Sequence, residues 1–431
     1  MLELKNNIFY VGVKDPTLRT FDIFMKTEYG TTYNAYLVKG EKTALIETAH
    51  EKLLDSYISN IEEIMPVSEI DYLICNHTEP DHSGSVKKIL ELNPDVEVVG
   101  SIAAIRNLKE ITNMTFKEHI AKDGAELDLG DGKVLKFCIV PNLHWPDTMV
   151  TYLESEKTLF SCDVFGAHYC EDAVVDEDII YYDKYEKAMK VYYDCIVSPF
   201  NAFVVKALEK LSALDIEMVC NSHGPVLKKY IAEAVKKYSA WSAPKVTEKK
   251  TVAIFYASAY GYTKKMADTI AKTLNSCDFD VKEYDVAEIN DEMITALHSA
   301  DALVFGTPTI NRNAVKPVWD IISSIDLVNM KNKPCFVFGS YGWGGEGIQL
   351  VHNHLELLKL KPFEKPFGCI FNPSDEKLAE LEDYTKKFAE TIQNKSRVIR
   401  YDSAFLYLTN RQICYKIMPT EIIGNIFGDR K

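Results

Sequence analysis

The sequence predicts a two-domain α/β protein in which packed sheets with helices outside are followed by a doubly wound parallel sheet. Three observations carry this. The 431 residues of the chain exceed the roughly 100 to 200 that one domain usually holds. A composition break, SAWSAPKVTEKK, spans residues 239–250, where an apolar-periodic helix gives way to a polar stretch containing Pro and Lys. The rhythm of apolar runs changes across that break, and no fixed-period repeat appears on either side.

Before the break, short apolar strands recur: AYLV and TALIETA near residue 40, IDYLICNH at 70–77, VEVVGS at 96–101, VLKFCIVP at 134–141, TLFSCD at 158–163 and EMVCNSH at 217–223. Helical stretches lie between several of them, including SGSVKKILEL and the segment from Val204 to Leu214. Hairpin-rich strands mixed with helices suggest packed sheets covered outside. After the break, strand and helix alternate regularly: TVAIFYAS, KKMADTIAKTLN, VKEYDV, ALVFGTP, PCFVFGSYG and a helix around Gln349 to Leu358. That alternation is the mark of a doubly wound parallel sheet. Residues 396–431 carry Tyr401, Phe405, Tyr407, Ile422 and Phe427; they are expected to pack on something, but show no chemistry.

With 47% hydrophobic and 26% charged residues, the chain reads as globular. Its net charge of −14 argues against nucleic acid, whose phosphates are met by clustered Lys and Arg. No run of about 18 apolar residues is present to span a bilayer, and the opening MLELKNNIFYVG lacks the basic start, apolar stretch and cleavage site of a leader. A cytoplasmic location is expected. The ten cysteines are scattered without a CxxC pair, which reads as reduced core thiols and excludes a fused rubredoxin or a four-thiolate iron–sulfur site.

The densest chemistry is His77-Thr78-Glu79-Pro80-Asp81-His82, four metal-competent side chains within six residues after a strand. Alone, this could be a polar turn opening a helix. Three later strands also deliver a ligand type at one end, namely His144, Asp163 and His223, and imidazole with carboxylate supplies borderline nitrogen and hard oxygen donors. The remaining histidines, His50, His119, His168, His298, His352 and His354, read as ordinary core or surface residues, with His168 singled out for lying five residues past Asp163.

The pattern HxExDH followed by a distant His, Asp and His resembles the metallo-β-lactamase superfamily in its flavodiiron (A-type flavoprotein) branch. The carboxylate Glu79 stands where the zinc hydrolases of that superfamily usually have His, which shifts the site towards oxygen donors and iron. The resemblance implies an αββα sandwich in which His77, Glu79 and His144 hold one iron, Asp81, His82 and His223 hold the other, and Asp163 bridges the two irons of each chain.

In the second half, TVAIFYAS runs through Ser258, Ala259, Tyr260, Gly261, Tyr262 and Thr263 directly into a helix, where backbone N–H groups and the helix dipole can receive a phosphate. The segment is neither a Walker A loop nor a GxGxxG loop, and alone it could equally be an ordinary strand-to-helix turn. Two further loops strengthen the phosphate reading: Thr307 to Asn313, including Pro308, Thr309, Ile310 and Asn311, and Gly339 to Gly345, including Ser340, Tyr341, Gly342, Trp343 and Gly344. Together they would ring a crevice at a topological switch point. They resemble the phosphate loop and the two ring-flanking loops of flavodoxins and imply FMN, with Trp343 or Tyr341 available to stack on the flavin.

The resemblance spans residues 1 to about 395. It implies a metallo-β-lactamase-like diiron domain over 1–246, a flavodoxin-like FMN domain over 247–395, and a C-terminal extension over 396–431. The implied activity is reduction of dioxygen to water, of nitric oxide to nitrous oxide, or both, with electrons from a rubredoxin or similar donor. Two iron(II) ions and one two-electron flavin together hold the four electrons that dioxygen needs. A head-to-tail homodimer is implied, with a tetramer left open. Some members have an additional His in the N-terminal segment, which FDIFMKTEYGTTYNAYLV lacks, so the choice between the gases stays open. Two other readings remain: a zinc hydrolase of the same fold with a regulatory flavodoxin domain, and an electron carrier or redox sensor.

Overall fold

A computed structural model describes residues 2–23, 25–243, 249–325 and 330–394; the extension expected over 396–431 lies outside the described residues. The chain divides into two compact units, the first running to Ala243.

The first unit holds two facing sheets. In the larger, the strands run in the order Leu2–Lys5, Ile8–Tyr10, Tyr36–Lys39, Thr43–Ile46, Tyr72–Cys75, Glu97–Gly100 and Lys117–Ile120. The first four are antiparallel neighbours and the rest pair in parallel. The second sheet runs Glu126–Asp128, Val134–Ile139, Met149–Leu153, Thr158–Cys162 and Met218–Asn221. Strand alternation divides the side chains between two cores. Tyr36, Val38, Ile46, Tyr72 and Ile74 of one sheet meet Leu135, Phe137, Met149, Phe160 and Met218 of the other. Their strand neighbours Leu37, Leu45, Leu73, Cys138, Val150 and Leu159 share a core with helical side chains. Burial on both faces explains why these strands read as unbroken apolar runs.

Helices Leu54–Glu62, Val86–Leu92 and Ile102–Thr112 bury residues at helical spacing, namely Tyr57 and Ile61, then Val86, Ile89 and Leu90, then Ile105 and Leu108. Helices Tyr182–Tyr192, Asn201–Leu211 and Ile231–Ser242 contribute Tyr185, Met189, Val204, Leu208 and Tyr238. The result is an αββα sandwich. Phe137 and Phe160 are all but inaccessible between the sheets, and truncating either to Ala would cost about 3–5 kcal/mol.

The two sheets are stitched where the chemistry gathers. Asn76, just past strand Tyr72–Cys75, accepts the Met149 N–H at its carbonyl (2.9 Å) and the Thr151 hydroxyl at Oδ1 (2.7 Å). Strand Thr158–Cys162 pairs in parallel with Met218–Asn221, with an irregularity between Phe160 and Cys162. Cys162 there takes φ 51°. Such a bulge re-aims the next side chain, which is Asp163.

The main sheet of the second unit has the order Asp280–Asp285, Thr251–Tyr256, Ala302–Gly306, Pro334–Tyr341, with Lys361–Pro362 and Phe367–Ile370 both pairing with the last of these. Every pairing is parallel. Counted along the chain, the order is 2-1-3-4-5, the flavodoxin-like winding. One face packs Phe255, Leu303, Phe305 and Val337 against Leu297, Ile321 and Val351; the other packs Ile254, Val304, Phe336 and Phe338 against Met266, Ile270, Leu381 and Phe388.

Candidate metal centre and flavin site

Seven residues from four strand ends converge in the first unit. His77 and Glu79 follow strand Tyr72–Cys75, and Asp81 and His82 lie in the short helix Pro80–Ser83. His144 stands in the loop before Met149–Leu153, Asp163 directly follows Thr158–Cys162, and His223 follows Met218–Asn221. Their donor atoms form two groups, His77, Glu79, His144 and Asp163 in one and Asp81, His82 and His223 in the other.

The geometry within each group is tight. His144 Nε2 is 2.9 Å from Glu79 Oε2 and 3.4 Å from Asp163 Oδ2; His77 Nε2 is 3.3 Å and 3.7 Å from the same two oxygens. In the second group His223 Nε2 is 3.0 Å and His82 Nε2 3.4 Å from Asp81 Oδ2. Asp163 faces both groups, because its Oδ1 lies 3.1 Å from His82 Nε2 and 3.6 Å from His223 Nε2. Metal–donor bonds of about 2.0–2.2 Å separate neighbouring donors by roughly 3–3.6 Å, so these spacings suit two cations sharing one carboxylate.

Electrostatics point the same way. Burial alone would keep His82 neutral, yet the Asp81 and Asp163 carboxylates push it up to about 10. Burial likewise opposes charge on His77, which Asp147 and Glu79 raise well above the usual imidazole range. Against the same desolvation, His82, His144 and His77 hold Asp163 well below the usual carboxylate range. Both Asp81 oxygens, Asp163 Oδ2 and His82 Nε2 are buried without a hydrogen-bond partner. Buried polar atoms normally have partners, so convergent orphaned donors in a cluster that attracts positive charge fit metal cations, which compete with protons for such ligands.

Further residues orient the donors. Asp147 Oδ2 lies 3.2 Å from His77 Nδ1 and accepts the N–H and hydroxyl of Thr78, each at 2.8 Å. His223 Nδ1 donates to the Thr32 carbonyl at 2.6 Å. Both contacts leave Nε2 directed at the cluster. Tyr192 donates its hydroxyl to Asp163 Oδ1 at 2.8 Å. At the solvent edge, the exposed Asp22 meets Glu79; partial burial and then Glu79 itself raise the Asp22 carboxyl to about 7. Asp147, Tyr192 and Asp22 carry no sequence signal beyond Asp147 falling three residues after His144.

His168 packs beside the cluster without joining either group. Its ring is 4.9 Å from that of His223, and its Nδ1 is 2.8 Å from Thr31 Oγ1. Burial, with His223 adding to it, keeps this imidazole neutral. None of the other five histidines read as ordinary enters a candidate metal group among the described residues. Glu47 and Cys162 lie near His82 as a third possible set, but burial pushes the Cys162 thiol far up, and a thiol is a poor ligand.

In the second unit the three loops meet at the carboxyl ends of adjacent strands. Ser258, Ala259, Tyr260 and Gly261 lead into helix Tyr262–Ser276, with Gly261 at φ 84° and open space where a Cβ would stand. Thr263 Oγ1 bonds Ser340 Oγ at 3.0 Å, tying the first loop to the third. Thr309–Ile310 pairs with Asn313–Ala314 across a turn in which Asn311 and Arg312 both take positive φ. Thr309 Oγ1 accepts the Gly347 N–H at 3.2 Å, tying the second loop to the start of helix Glu346–Leu357, which follows the third. Pro308 and Gly344 are half-buried, while Ile310 and Tyr260 are exposed.

The two aromatic candidates part here. Trp343 is 102% exposed. Tyr341 is wedged in the fold, since a Cβ at Gly345 or Gly368 would come within 2.8 Å or 2.7 Å of its ring. A helix N-terminus beside small and hydroxyl residues, with Tyr260 and Trp343 exposed on the first and third loops, fits a phosphate with an attached aromatic system.

The family model described as ODP family beta lactamase matches residues 31–224, and the flavodoxin family model matches residues 254–384. The flavo-diiron protein FprA2 of Clostridium acetobutylicum is 45% identical over 401 residues, 91% of this chain and 99% of the relative. The type A flavoprotein fprA of Rhodobacter capsulatus is 33% identical, over 92% of this chain and 93% of its own. Among solved structures, rubredoxin oxygen:oxidoreductase from Desulfovibrio gigas aligns with a TM-score of 0.68 at 27% identity, covering 91% of this chain and 99% of that one.

Proposed function

The chain belongs to the flavodiiron protein family, and from that membership we propose that it reduces dioxygen to water, nitric oxide to nitrous oxide, or both. The observation that carries the reading is the Asp163 carboxylate, with one oxygen facing each donor group. In this reading His77, Glu79 and His144 hold one iron, Asp81, His82 and His223 hold the other, and Asp163 is shared. Four imidazoles and three carboxylates without a thiolate form a set that suits iron. The three flavin loops would hold FMN, the start of helix Tyr262–Ser276 offering backbone N–H groups to its phosphate and Trp343 an aromatic face to its ring.

When bound, iron(II) and reduced FMN supply the electrons that the gas accepts. The chain's own residues fix the geometry. Asp147 and the Thr32 carbonyl set the tautomers of His77 and His223, Tyr192 pins Asp163 Oδ1, and the sandwich keeps the cluster buried with Glu79 and His144 nearest to solvent. The name of the Desulfovibrio relative supports a rubredoxin-type electron donor. A head-to-tail homodimer and a cytoplasmic location complete the reading. The free thiols of Cys75, Cys162 and Cys220 suit a reducing compartment, and among the described residues no helix is long and apolar enough to cross a membrane.

The test is anaerobic stopped-flow mixing of fully reduced protein with each gas, following flavin absorbance and product. Rapid reoxidation giving water, or nitrous oxide, is expected. Slow reoxidation giving peroxide, or zinc at two per chain with hydrolase turnover, would overturn the reading.

A further inference from the structure

The second unit has a fourth turn that none of the three flavin loops includes. Strand Phe367–Ile370 pairs in parallel with Pro334–Tyr341, and the chain leaves it through Phe371, Asn372 and Pro373. Phe371 sits there against two local preferences. It takes φ 51°, a left-handed backbone that is an outlier for a bulky residue, and it is 56% exposed, so core packing does not account for it. Strain of this kind persists only where the surroundings over-determine it, and it gathers at ligand clamps.

Contacts on both sides fix the turn. The Phe371 N–H donates to the Tyr341 carbonyl, in the third flavin loop, at 2.9 Å. Lys265, in the first turn of helix Tyr262–Ser276, donates its ammonium to the Pro373 carbonyl at 2.9 Å. The Phe371 ring lies over Gly342: a Cβ on that glycine would stand 2.9 Å from Cζ and 3.0 Å from Cε1, and the three nearest atoms it would meet all belong to this ring. With Thr263 bonded to Ser340 at 3.0 Å, the start of the helix, the third loop and the fourth turn are joined pairwise. The residue after Gly342 is the fully exposed Trp343, with Gly344 and Gly345 beyond it. A run so rich in glycine has much backbone freedom to lose when a ligand orders it.

We propose that Phe371 is a positioning residue of the flavin site: by filling the space over Gly342 it sets the path of the third loop, and with it the place where Trp343 meets the flavin ring. This role rests on the reading above, in which Trp343 offers its face to FMN, and adds to it a fourth segment that holds the loop from outside. Gly342 has no side chain with which to anchor itself, and the neighbouring ring supplies the anchor. Fixing the loop before the flavin arrives lowers the ordering cost of binding.

Such a role is a coupling between two side chains, which a double-mutant cycle reads directly. FMN is titrated, by its fluorescence, into full-length protein stripped of flavin: wild type, Trp343→Ala, Phe371→Ala and the double variant. Phe371→Ala is expected to weaken FMN by about ten-fold, and Trp343→Ala, which costs about ten-fold in the wild-type background, should cost less than about two-fold once Phe371 is gone. A merely structural loss would leave Trp343→Ala costing the same in both backgrounds, and that result would overturn the proposal. Gly342→Ala is the reciprocal probe: its Cβ meets the ring in wild type and has room without it, so it should weaken FMN several-fold in the first background and not in the second. Should Phe371→Ala fail to fold, Phe371→Leu takes its place in both cycles. Loss of affinity in Trp343→Ala with none in Phe371→Ala would sink the proposal alone. Wild-type affinity in Trp343→Ala would sink the ring contact of the functional reading together with the role built on it, so the two failures are distinguishable.

Discussion

Asp147 Oδ2 stands 3.2 Å from His77 Nδ1 and is held there by the N–H and hydroxyl of Thr78. Asn107 in turn donates to the Thr78 hydroxyl at 2.9 Å, so the carboxylate has little freedom to move. Loss of such a supporting partner typically lowers metal affinity by about 10 to 100-fold. Asp147→Ala is therefore expected to lose iron to a chelator at lower concentration than wild type, with FMN content unchanged. Iron and flavin assays on dialysed protein check this, and wild-type iron retention would remove Asp147 from the supporting role.

Tyr192 and Asp163 make the corresponding pair on the other side. The phenol is fully desolvated, and burial, followed by the Asp163 charge, keeps it protonated. A hydrogen bond to a charged group contributes about 1.5–3 kcal/mol. Tyr192→Phe should lower the thermal midpoint of the metal-loaded first unit and slow gas consumption while leaving two irons per chain. Asp163→Ala should differ in kind, dropping the iron content below two because both groups lose a donor. Equal iron content in the two variants would refute the shared role of Asp163.

Much of this arrangement was legible in the sequence because strands buried on both faces print as apolar runs, and ligands at their ends follow at once. His77, Glu79, Asp81 and His82 announce themselves by density. Asp163 and His223 do so by closing TLFSC and EMVCNS. The short edge strands Lys117–Ile120 and Glu126–Asp128 were not legible, since their exposed Lys117, Glu118, Glu126 and Asp128 break the apolar pattern. Tyr192 lies on an ordinary amphipathic helix, where nothing separates it from the core tyrosines Tyr185 and Tyr193. Asp22 reaches Glu79 only because a hairpin tip folds over the site, a contact that no local pattern encodes. For the flavin, the sequence offered both Tyr341 and Trp343 and favoured Trp343 for its place among glycines; the full exposure of Trp343 and the wedging of Tyr341 against Gly345 and Gly368 divide them.

Lys333 gives the second unit a pH dependence. Its ammonium donates to the carbonyls of His298 (2.9 Å) and Ala300 (2.6 Å), yet burial lowers its pKa to about 8. Below pH 8 the folded and unfolded chains both hold the proton, and the cost of burying the charge is fully present. Between about pH 8 and 10.4 only the unfolded chain holds it, so this group's contribution to stability rises with pH across that window, by a few kcal/mol at most. In guanidinium titrations that follow release of FMN, the midpoint of wild type relative to Lys333→Met should climb from pH 8 to pH 10. A constant difference would show that Lys333 is not desolvated.

Trp343 and Tyr341 should separate just as sharply in flavin binding. Trp343 makes no packing contribution to the unit, being wholly exposed, so Trp343→Ala should leave the unfolding midpoint of FMN-free protein unchanged. If its ring stacks on the flavin, the substitution forfeits about 0.5–1.5 kcal/mol beyond the area lost, which weakens FMN roughly ten-fold in a fluorescence titration. Tyr341 packs with the core formed by Phe305, Val337 and Ile348 and fills the space over Gly345 and Gly368. Tyr341→Ala should therefore destabilise the unit itself by about 3 kcal/mol or more, and its flavin defect should follow from that loss. Gly261→Ala offers a third comparison: φ 84° costs a residue with a Cβ roughly 1–2 kcal/mol although nothing stands within 4 Å of that Cβ. FMN phosphate held at this turn would make Gly261→Ala lose affinity for riboflavin less than for FMN. Equal losses for the two flavins would move the phosphate away from the start of helix Tyr262–Ser276.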